Sequence, residues 1–441
     1  MKIVVAGTGY VGLVTGVALA HIGHNVTCVD VDEEKIKKMK KGICPIYEQD
    51  LEDLMHKNAE RLTYTIDYKK AYKDADVIFI GVGTPERSDG SANLDYVYAV
   101  CDNIAESLVN DCVVVVKSTV PIGTNDSVEE YLNNRVKKGI HVDVASNPEF
   151  LAQGTAVRDT IHASRIVVGV ENERAREVME EVYRPFTVGE YGIPYLVMNR
   201  RSAEMVKYAS NDFLALKISY INEISNFCEI IGADISDVTR GMSYDKRIGD
   251  KFLNPGIGYG GSCFPKDTKA LHHLSVKFNS EFRTIKACID VNKIQKLRLF
   301  NRLKEDYGAR NLSGMEVAIL GVTFKPGTDD LREAPSIENV RALLDYGVKV
   351  SIYDPVGLNN FEKLFGDTIT YCDNIDDCIK DKDICMIMTE WDTVKNYDIK
   401  KYVKLMRTPI IYDGRNCYPL STMSQYKVEY TSMGRAEIHN L

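Results

Sequence analysis

Three absences narrow the class of this chain. It has no Cys-x-x-Cys pair, although eleven cysteines are scattered from Cys28 to Cys417. It has no charge-free apolar run of about 20 residues, the length a membrane helix needs. It has no cationic excess, because 63 acidic residues face 55 basic ones for a net charge of −8. The missing cysteine spacing argues against a disulfide framework and a zinc site, so no metal ligands are expected. An odd number of thiols in a long chain fits a reducing, cytoplasmic setting. The missing apolar run predicts no membrane span. The opening Met-Lys-Ile-Val-Val-Ala stretch is cut at once by Gly7, Gly9 and Gly12 and is too short for a signal segment. The acidic balance argues against nucleic acid as the main partner, while leaving room for a local basic pocket.

What is present is ordinary globular material. With 441 residues, 44% hydrophobic and 27% charged, the chain is long enough for two to three domains of about 150 residues each. Residues 2–6 form a short apolar strand, and Val11 to Ile22 follows with helical character. Asn25 to Val29 is a second strand that ends in Asp30. Further strands are expected at Ala75–Val82, Cys112–Val116, His141–Ala145 and Arg165–Val170, with a helix at Leu94–Leu108. This alternation predicts a parallel sheet covered on both faces. Residues 202–231 carry apolar positions at helical spacing, with Ser202 as N-cap and Gly232 as stop. No strand pattern occurs from 202 to 300, so the middle of the chain is expected to be all helical.

From Gly314 the strand-helix order returns, with strands at Met315–Leu320, Val348–Tyr353, Asp383–Thr389 and Pro409–Tyr412. Asn25-Val-Thr-Cys-Val-Asp30 is echoed by Lys349-Val-Ser-Ile-Tyr-Asp354. Asp74-Ala-Asp-Val-Ile-Phe-Ile80 is echoed by Lys382-Asp-Ile-Cys-Met-Ile387. The fold class expected is α/β: two Rossmann-like, doubly wound parallel-sheet domains joined by a long central helix and a helical connector. The boundaries are 1–198, 199–311 and 312–441. The echo has a plainer alternative, since any two parallel-sheet domains look alike.

Gly7-Thr8-Gly9-Tyr10-Val11-Gly12 is a G-x-G-x-x-G turn that follows a strand and opens a helix, the context such a motif requires. Gly7 allows the tight turn. Gly9 lets backbone N–H groups approach a pyrophosphate, and Gly12 lets helix and strand pack closely. The helix N-terminus favours phosphate. Asp30 suits a ribose diol and repels a 2′-phosphate, which favours NAD over NADP; Asp32 adds to the repulsion and Lys35 tempers it. Thr84, Ser118 and Thr119 follow later strand ends, where ligands of open α/β sheets bind. The third section replaces the fingerprint with Gly321-Val-Thr-Phe-Lys-Pro-Gly327. Lys325, with Arg332 following, suggests a different phosphorylated ligand there.

Pro255 to Pro265 holds glycines at 256, 258, 260 and 261 around a single thiol, Cys263. Such a run makes a backbone-rich cradle that can approach a ligand. Lys266 and Asp267 stand close behind, and a thiol beside a cation can serve as a nucleophile. The other ten cysteines are expected to be buried hydrophobes.

These features, together with Lys117-Ser-Thr119, Ser146-Asn-Pro-Glu-Phe-Leu151, Lys207-x-x-x-Asn211, Phe324-Lys325 and Asp413-Gly-Arg415, span nearly the whole chain. In their order the chain resembles the nucleotide-sugar dehydrogenases, the UDP-glucose/GDP-mannose dehydrogenase family. The Gly-Gly-Ser-Cys-Phe form of the cysteine loop points toward UDP-glucose. UDP-N-acetylhexosamine and GDP-mannose stay open as substrates, and so does a two-electron 3-hydroxyacid dehydrogenase, which needs no thiol. The resemblance implies NAD-dependent four-electron oxidation of UDP-glucose at C6 to UDP-glucuronate, through a thiohemiacetal and a thioester on Cys263. It implies an oxyanion role for Lys207 and Asn211, proton transfer through water at Asp267 and Thr119, and assistance to hydrolysis by Glu149. Phe150, Leu151, Phe252, Leu253, Asn254 and Gly260 would hold the glucosyl-uridine part, together with Lys207 and Asn211. Lys325 and Arg415 would meet diphosphate or sugar. Arg247 would reach the substrate of a neighbouring subunit, which implies a homodimer built on the long helix. Gln153, Lys266 and Arg332 would join Gly7, Gly9, Tyr10, Val11, Gly12, Asp30, Lys35, Thr84 and Ser118 as cofactor contacts. Gln153 stands where the family often has an acidic residue, so no acid–base role is expected of it.

Overall fold

The computed structural model describes residues 1–441. The chain forms two compact units, residues 1–210 and 211–441.

Unit 1 is built on eight strands: β1 Lys2–Ala6, β2 Asn25–Val29, β3 Leu62–Thr65, β4 Val77–Ile80, β5 Cys112–Val116, β6 Val142–Ser146, β7 Ile166–Gly169 and β8 Tyr195–Met198. Their order in the sheet is β3-β2-β1-β4-β5-β6-β7-β8. The run 3-2-1-4-5-6 is the doubly wound order, with its switch point between β1 and β4. Strands β4 and β5 read Val-Ile-Phe-Ile and Cys-Val-Val-Val-Val and are buried at every position, as strands covered on both faces must be. Alternate residues enter different cores. Ile3, Val5, Val77 and Phe79 belong to one cluster, and Val4, Ala6, Ile78 and Ile80 to the other. The first helix, Tyr10–His21, is buried continuously from Gly12 to Ala20. Its Gly, Ala, Val and Leu content lets it lie close against the sheet.

Unit 2 carries the second sheet: β9 Glu316–Leu320, β10 Lys349–Tyr353, β11 Thr370–Tyr371, β12 Ile384–Ile387, β13 Ile410–Asp413, β14 Glu429–Ser432 and β15 Ile438–His439. The order β11-β10-β9-β12-β13-β14-β15 repeats that of unit 1. Four helices precede this sheet, at Ile235–Ser243, Phe264–Lys277, Arg283–Gln295 and Arg298–Tyr307. No strand falls between 202 and 300, as the sequence predicts.

The long helix, Arg200–Ile231, has 32 residues and spans about 48 Å at 1.5 Å per residue. The boundary between the units falls within it. Gly232 stops it at φ 71°, the left-handed turn that glycine adopts without cost. Its start corrects the expected N-cap at Ser202, which lies inside the helix. Asn199 is the acceptor instead, taking the Ser202 N–H at 2.8 Å. Buried Arg200 then pins the first turn to Asp126 and Glu129, each at 2.9 Å. The sheets are also not uniformly parallel. Strand β7 meets β6 antiparallel at Ser146 and Gly169, and β15 runs antiparallel to β14.

Candidate active site

The Gly7–Gly12 turn of unit 1 is shaped by contacts that only glycine permits. Gly7 has φ 93° and its N–H donates to the Val29 carbonyl at 2.8 Å. A Cβ on Gly12 would lie 2.0 Å from the Gly7 carbonyl oxygen. A Cβ on Gly9 would meet nothing within 4 Å. Gly9 is also the N-cap of the first helix, and no side chain caps it. The opening N–H groups of that helix therefore face open space with a partial positive charge. Such a turn suits a pyrophosphate. Tyr10 and Val11 form the first turn, and the Tyr10 hydroxyl donates to the Tyr47 carbonyl at 2.8 Å.

Asp30 closes one side of the turn. Its Oδ2 accepts the Thr8 N–H at 2.7 Å and the Thr8 hydroxyl at 2.6 Å, and its Oδ1 accepts the Asp32 N–H at 3.0 Å. Burial works against its ionisation, yet these donors and the Lys35 charge outweigh it and hold the carboxyl below its ordinary value. Oδ1, with a single donor, keeps acceptor capacity for a ribose hydroxyl. The turn and the ionised Asp30 fit a dinucleotide such as NAD.

Beyond β4 and β5, the Thr84 hydroxyl donates to the Thr119 carbonyl at 2.8 Å. The Ser118 hydroxyl donates to the Val82 carbonyl at 2.6 Å. Both hydroxyls brace the strand ends. After β6, buried Glu149 pairs with Lys207 at 2.8 Å and accepts the Leu151 N–H on its other oxygen at 2.8 Å. Phe150 lies under two cations, Arg165 at 3.8 Å and Lys207 at 5.6 Å. Leu151 packs partly buried against the core. Gln153 follows in the same loop, half-buried.

Sequence reasoning passed over the layer beneath this pair. Lys117 is buried and donates to the Asn147 carbonyl and to its Oδ1, at 3.3 and 3.1 Å. Tyr183 donates to the same Oδ1. Burial pushes the Lys117 ammonium down to about 8; Glu149 opposes that shift and Lys207 adds to it. Glu48 likewise holds the next loop, accepting the Gly154 and Ala156 N–H groups at 2.7 Å each. Lys117 and Asn147 lie inside the Lys117-Ser-Thr119 and Ser146–Leu151 motifs, so the sequence carries a signal for them. Glu48 had no local signal.

In unit 2 the glycine-rich loop leads straight into the helix Phe264–Lys277, with Cys263 as its N-cap. Cys263 is exposed, whereas the other ten cysteines are buried or partly buried. Asp267 sits one turn on and is 1% exposed. It accepts from Asn211 Nδ2 on one oxygen and from Lys266 Nζ on the other, each at 2.7 Å. The loop's glycines are needed for close approach. A Cβ on Gly260 would lie 2.4 Å from the Glu333 carbonyl, and one on Gly261 would lie 2.8 Å from the Phe324 ring. Asn292 fastens the loop, accepting the Tyr259 N–H at 2.8 Å and donating to its carbonyl at 3.0 Å.

Arg415 reaches the same loop, donating to the Gly258 carbonyl at 3.3 Å and to the Met388 carbonyl at 2.9 Å. Its Nη2 is buried without a partner, as a donor reserved for an acidic or sugar oxygen would be. Leu253 is buried, while Phe252 and Asn254 are exposed at the loop's start. Lys325 is half-buried beside the Phe324 ring at 5.7 Å. Arg247 and Arg332 are exposed and folded back on Asp245 and Asp330, each at 2.6 Å. Unit 1 thus gathers the glycine turn with Asp30, Thr84 with Thr119, and Lys207 with Glu149. Unit 2 gathers Asn211, Lys266 and Asp267 behind Cys263.

Comparison with known proteins covers both units. Residues 1–187, 201–294 and 318–419 match three family models, described as the NAD binding, central and UDP binding domains of the UDP-glucose/GDP-mannose dehydrogenase family. UDP-glucose 6-dehydrogenase YwqF of Bacillus subtilis is 47% identical over 440 residues, covering 99% of this chain and 98% of its own. UDP-glucose 6-dehydrogenase of Rhizobium meliloti is 44% identical over 449 residues, covering 99% and 100%. Among solved structures, a UDP-glucose dehydrogenase from the hyperthermophilic archaeon Pyrobaculum islandicum superposes with a TM-score of 0.91 at 36% identity, covering 98% of each chain. No helix is long and apolar enough to cross a membrane.

Proposed function

This chain belongs to the UDP-glucose/GDP-mannose dehydrogenase family, and from that membership we propose that it oxidises UDP-glucose at C6 to UDP-glucuronate. The observation that carries the reading is the setting of Cys263. It is the exposed thiol of the chain, at the N-terminus of a helix whose next turn presents Asp267 pinned by Asn211 and Lys266. A simple two-electron alcohol dehydrogenase has no use for such a thiol.

The cofactor is NAD, held by Gly7, Gly9, Tyr10, Val11, Gly12 and Asp30, with Lys35, Thr84, Ser118, Gln153, Lys266 and Arg332 as further proposed contacts. When bound, the nicotinamide supplies the hydride acceptor that both oxidations need. The chain's own residues do the rest. In the first oxidation Asp267, acting through a water that Thr119 helps position, takes the alcohol proton. Lys207 and Asn211 steady the developing oxygen charge. An aldehyde cannot give hydride until it is tetrahedral, so the Cys263 thiolate adds to it and its oxygen takes a proton, giving a thiohemiacetal. Loss of that proton and of a second hydride leaves a thioester. Water then attacks the thioester carbon, the C–S bond breaks, and the acid and the Cys263 thiol are released. Glu149, paired with Lys207, assists this hydrolysis. Phe150, Leu151, Phe252, Leu253, Asn254 and Gly260 hold the substrate, and Lys325 and Arg415 meet its diphosphate or sugar.

We also infer a homodimer built on the long helix. Phe213, Tyr220 and Phe227 recur at seven-residue spacing and stay exposed, as do Ile230 and Ile231. An apolar stripe of that kind calls for a covering partner. Arg247 would then reach the partner's substrate. The three-part division at 1–198, 199–311 and 312–441 is retained as a proposal. The eleven free cysteines suit a reducing, cytoplasmic compartment.

A substrate panel tests the reading. UDP-glucose should give at least a tenfold higher kcat/KM than UDP-N-acetylglucosamine, UDP-N-acetylmannosamine or GDP-mannose. A preference for any of these would transfer the same chemistry to that sugar.

A further inference from the structure

One acidic side chain in unit 2 has no role in the scheme above. Asp212 follows Asn211 on the long helix and is 2% exposed, and no hydrogen-bond donor reaches either of its carboxyl oxygens. An ionised carboxylate in that position would bear the full cost of desolvation. The groups around it offer no relief. From the helix Phe264–Lys277 comes Asp267, a like charge whose Lys266 partner is already committed to it. From the glycine-rich loop comes Tyr259, and from the helix Arg283–Gln295 comes Cys288; neither donates to Asp212. Tyr259 and Cys288 contact each other at 3.5 Å. On its own helix, Ser219 is engaged with Cys288 at 3.2 Å, and Tyr208 lies four residues earlier.

The two carboxyl groups are therefore unequal. Asp267 has Asn211 and Lys266 as donors, and Asp212 has none, so of the two it is Asp212 that retains a proton. We propose that Asp212 is a positioning residue that stays protonated beside Asp267, keeping a second negative charge out of the pocket in which Asp267 accepts its proton. This rests on the reading of Asp267 given above. Burial and the Asp267 charge push the Asp212 carboxyl up to about 8, so the arrangement holds at neutral pH and fails in alkali. There a second negative charge arises in the same pocket.

The test compares wild type with Asp212→Asn, a neutral near-isostere, using the full chain. Thermal unfolding is followed from about pH 5 to about pH 9. A group whose folded pKa is raised binds more protons folded than unfolded across this window, so its penalty grows as pH rises and levels off above about 8. The Tm of Asp212→Asn should therefore gain on wild type up to that pH and run parallel beyond it. A difference that does not change with pH overturns the proposal. The second readout is the pH profile of kcat. Wild type should lose rate through a break near pH 8 that Asp212→Asn lacks. The same break in both proteins would remove Asp212 from control of Asp267. Should Asp212→Asn fail to fold, Asp212→Ser carries both readouts. If Asp267→Asn keeps wild-type turnover, the role of Asp267 falls, while the stability readout still reports on the Asp212 proton.

Discussion

The two sheets of this chain share one strand order but treat the same corner in opposite ways. In unit 1, Gly7 donates to the Val29 carbonyl at 2.8 Å, and in unit 2, Gly321 donates to the Tyr353 carbonyl at 2.8 Å. An aspartate ends the second strand of each. Asp30 is partly exposed and is held by Thr8 and Asp32. Asp354 is 2% exposed. Its Oδ2 accepts from the Val322 N–H at 2.7 Å, the Thr323 N–H at 3.2 Å and the Trp391 indole at 3.0 Å, and its Oδ1 from the Val356 and Gly357 N–H groups at 3.0 and 2.8 Å. Where unit 1 places Gly81 against the turn, unit 2 places Thr389. The unit 1 turn runs directly into a helix at Tyr10, whereas the next helix in unit 2 begins only at Pro335. The lesson is that an aspartate at the end of the second strand is not in itself a ribose site. In unit 2 it has become an internal brace, held by four backbone N–H groups and the Trp391 indole.

The comparison can be broken in order of effect. The largest effect is expected from Cys263→Ser in unit 2. Turnover should fall by at least about 10³-fold, the order seen when a catalytic nucleophile is removed. Calorimetric NAD binding by unit 1 should be unchanged. Substantial residual turnover would end the nucleophile assignment.

Next comes the aspartate pair. Asp354→Asn should cost stability, about 3 kcal/mol for a buried charge with several donors, seen as a lower denaturation midpoint with NAD affinity retained. Asp30→Asn should do the reverse. The fold should hold, and NAD affinity should fall by about tenfold to a hundredfold. Equal behaviour of the two variants would erase the distinction.

The smallest contrast lies within the glycine turn. Gly12→Ala forces a Cβ to 2.0 Å from the Gly7 carbonyl and should cost about 1–3 kcal/mol of stability as overpacking, along with NAD binding. Gly9→Ala has open space and should weaken NAD binding alone. Unfolding and binding curves on both variants check this.

Much of this was legible in the sequence, for physical reasons. The strands Val77–Ile80 and Cys112–Val116 are continuous apolar runs, and the long helix has a clear period and a glycine stop. Leu62–Thr65 and Glu429–Ser432 alternate with polar residues at sheet positions only four residues long, so no local pattern revealed them. The residues proposed to carry the chemistry sit in motifs and so could be named from the sequence. Their partners were not. That Glu149 pairs with Lys207, that Asn211 and Lys266 divide the oxygens of Asp267, or that Asp212 lacks a donor depends on contacts between residues far apart in sequence. The echo between Asp30 and Asp354 reflects a repeated topology. Only the burial of Asp354 reveals that the two have different work.

The central claim is that this chain carries a sugar alcohol through two oxidations at one carbon, using one open dinucleotide turn and the Cys263 thiol. Its most direct test is the yield of NADH from a limiting amount of UDP-glucose at completion. The account predicts close to two NADH per UDP-glucose, with UDP-glucuronate as the product. A yield close to one, with an aldehyde released, would contradict it.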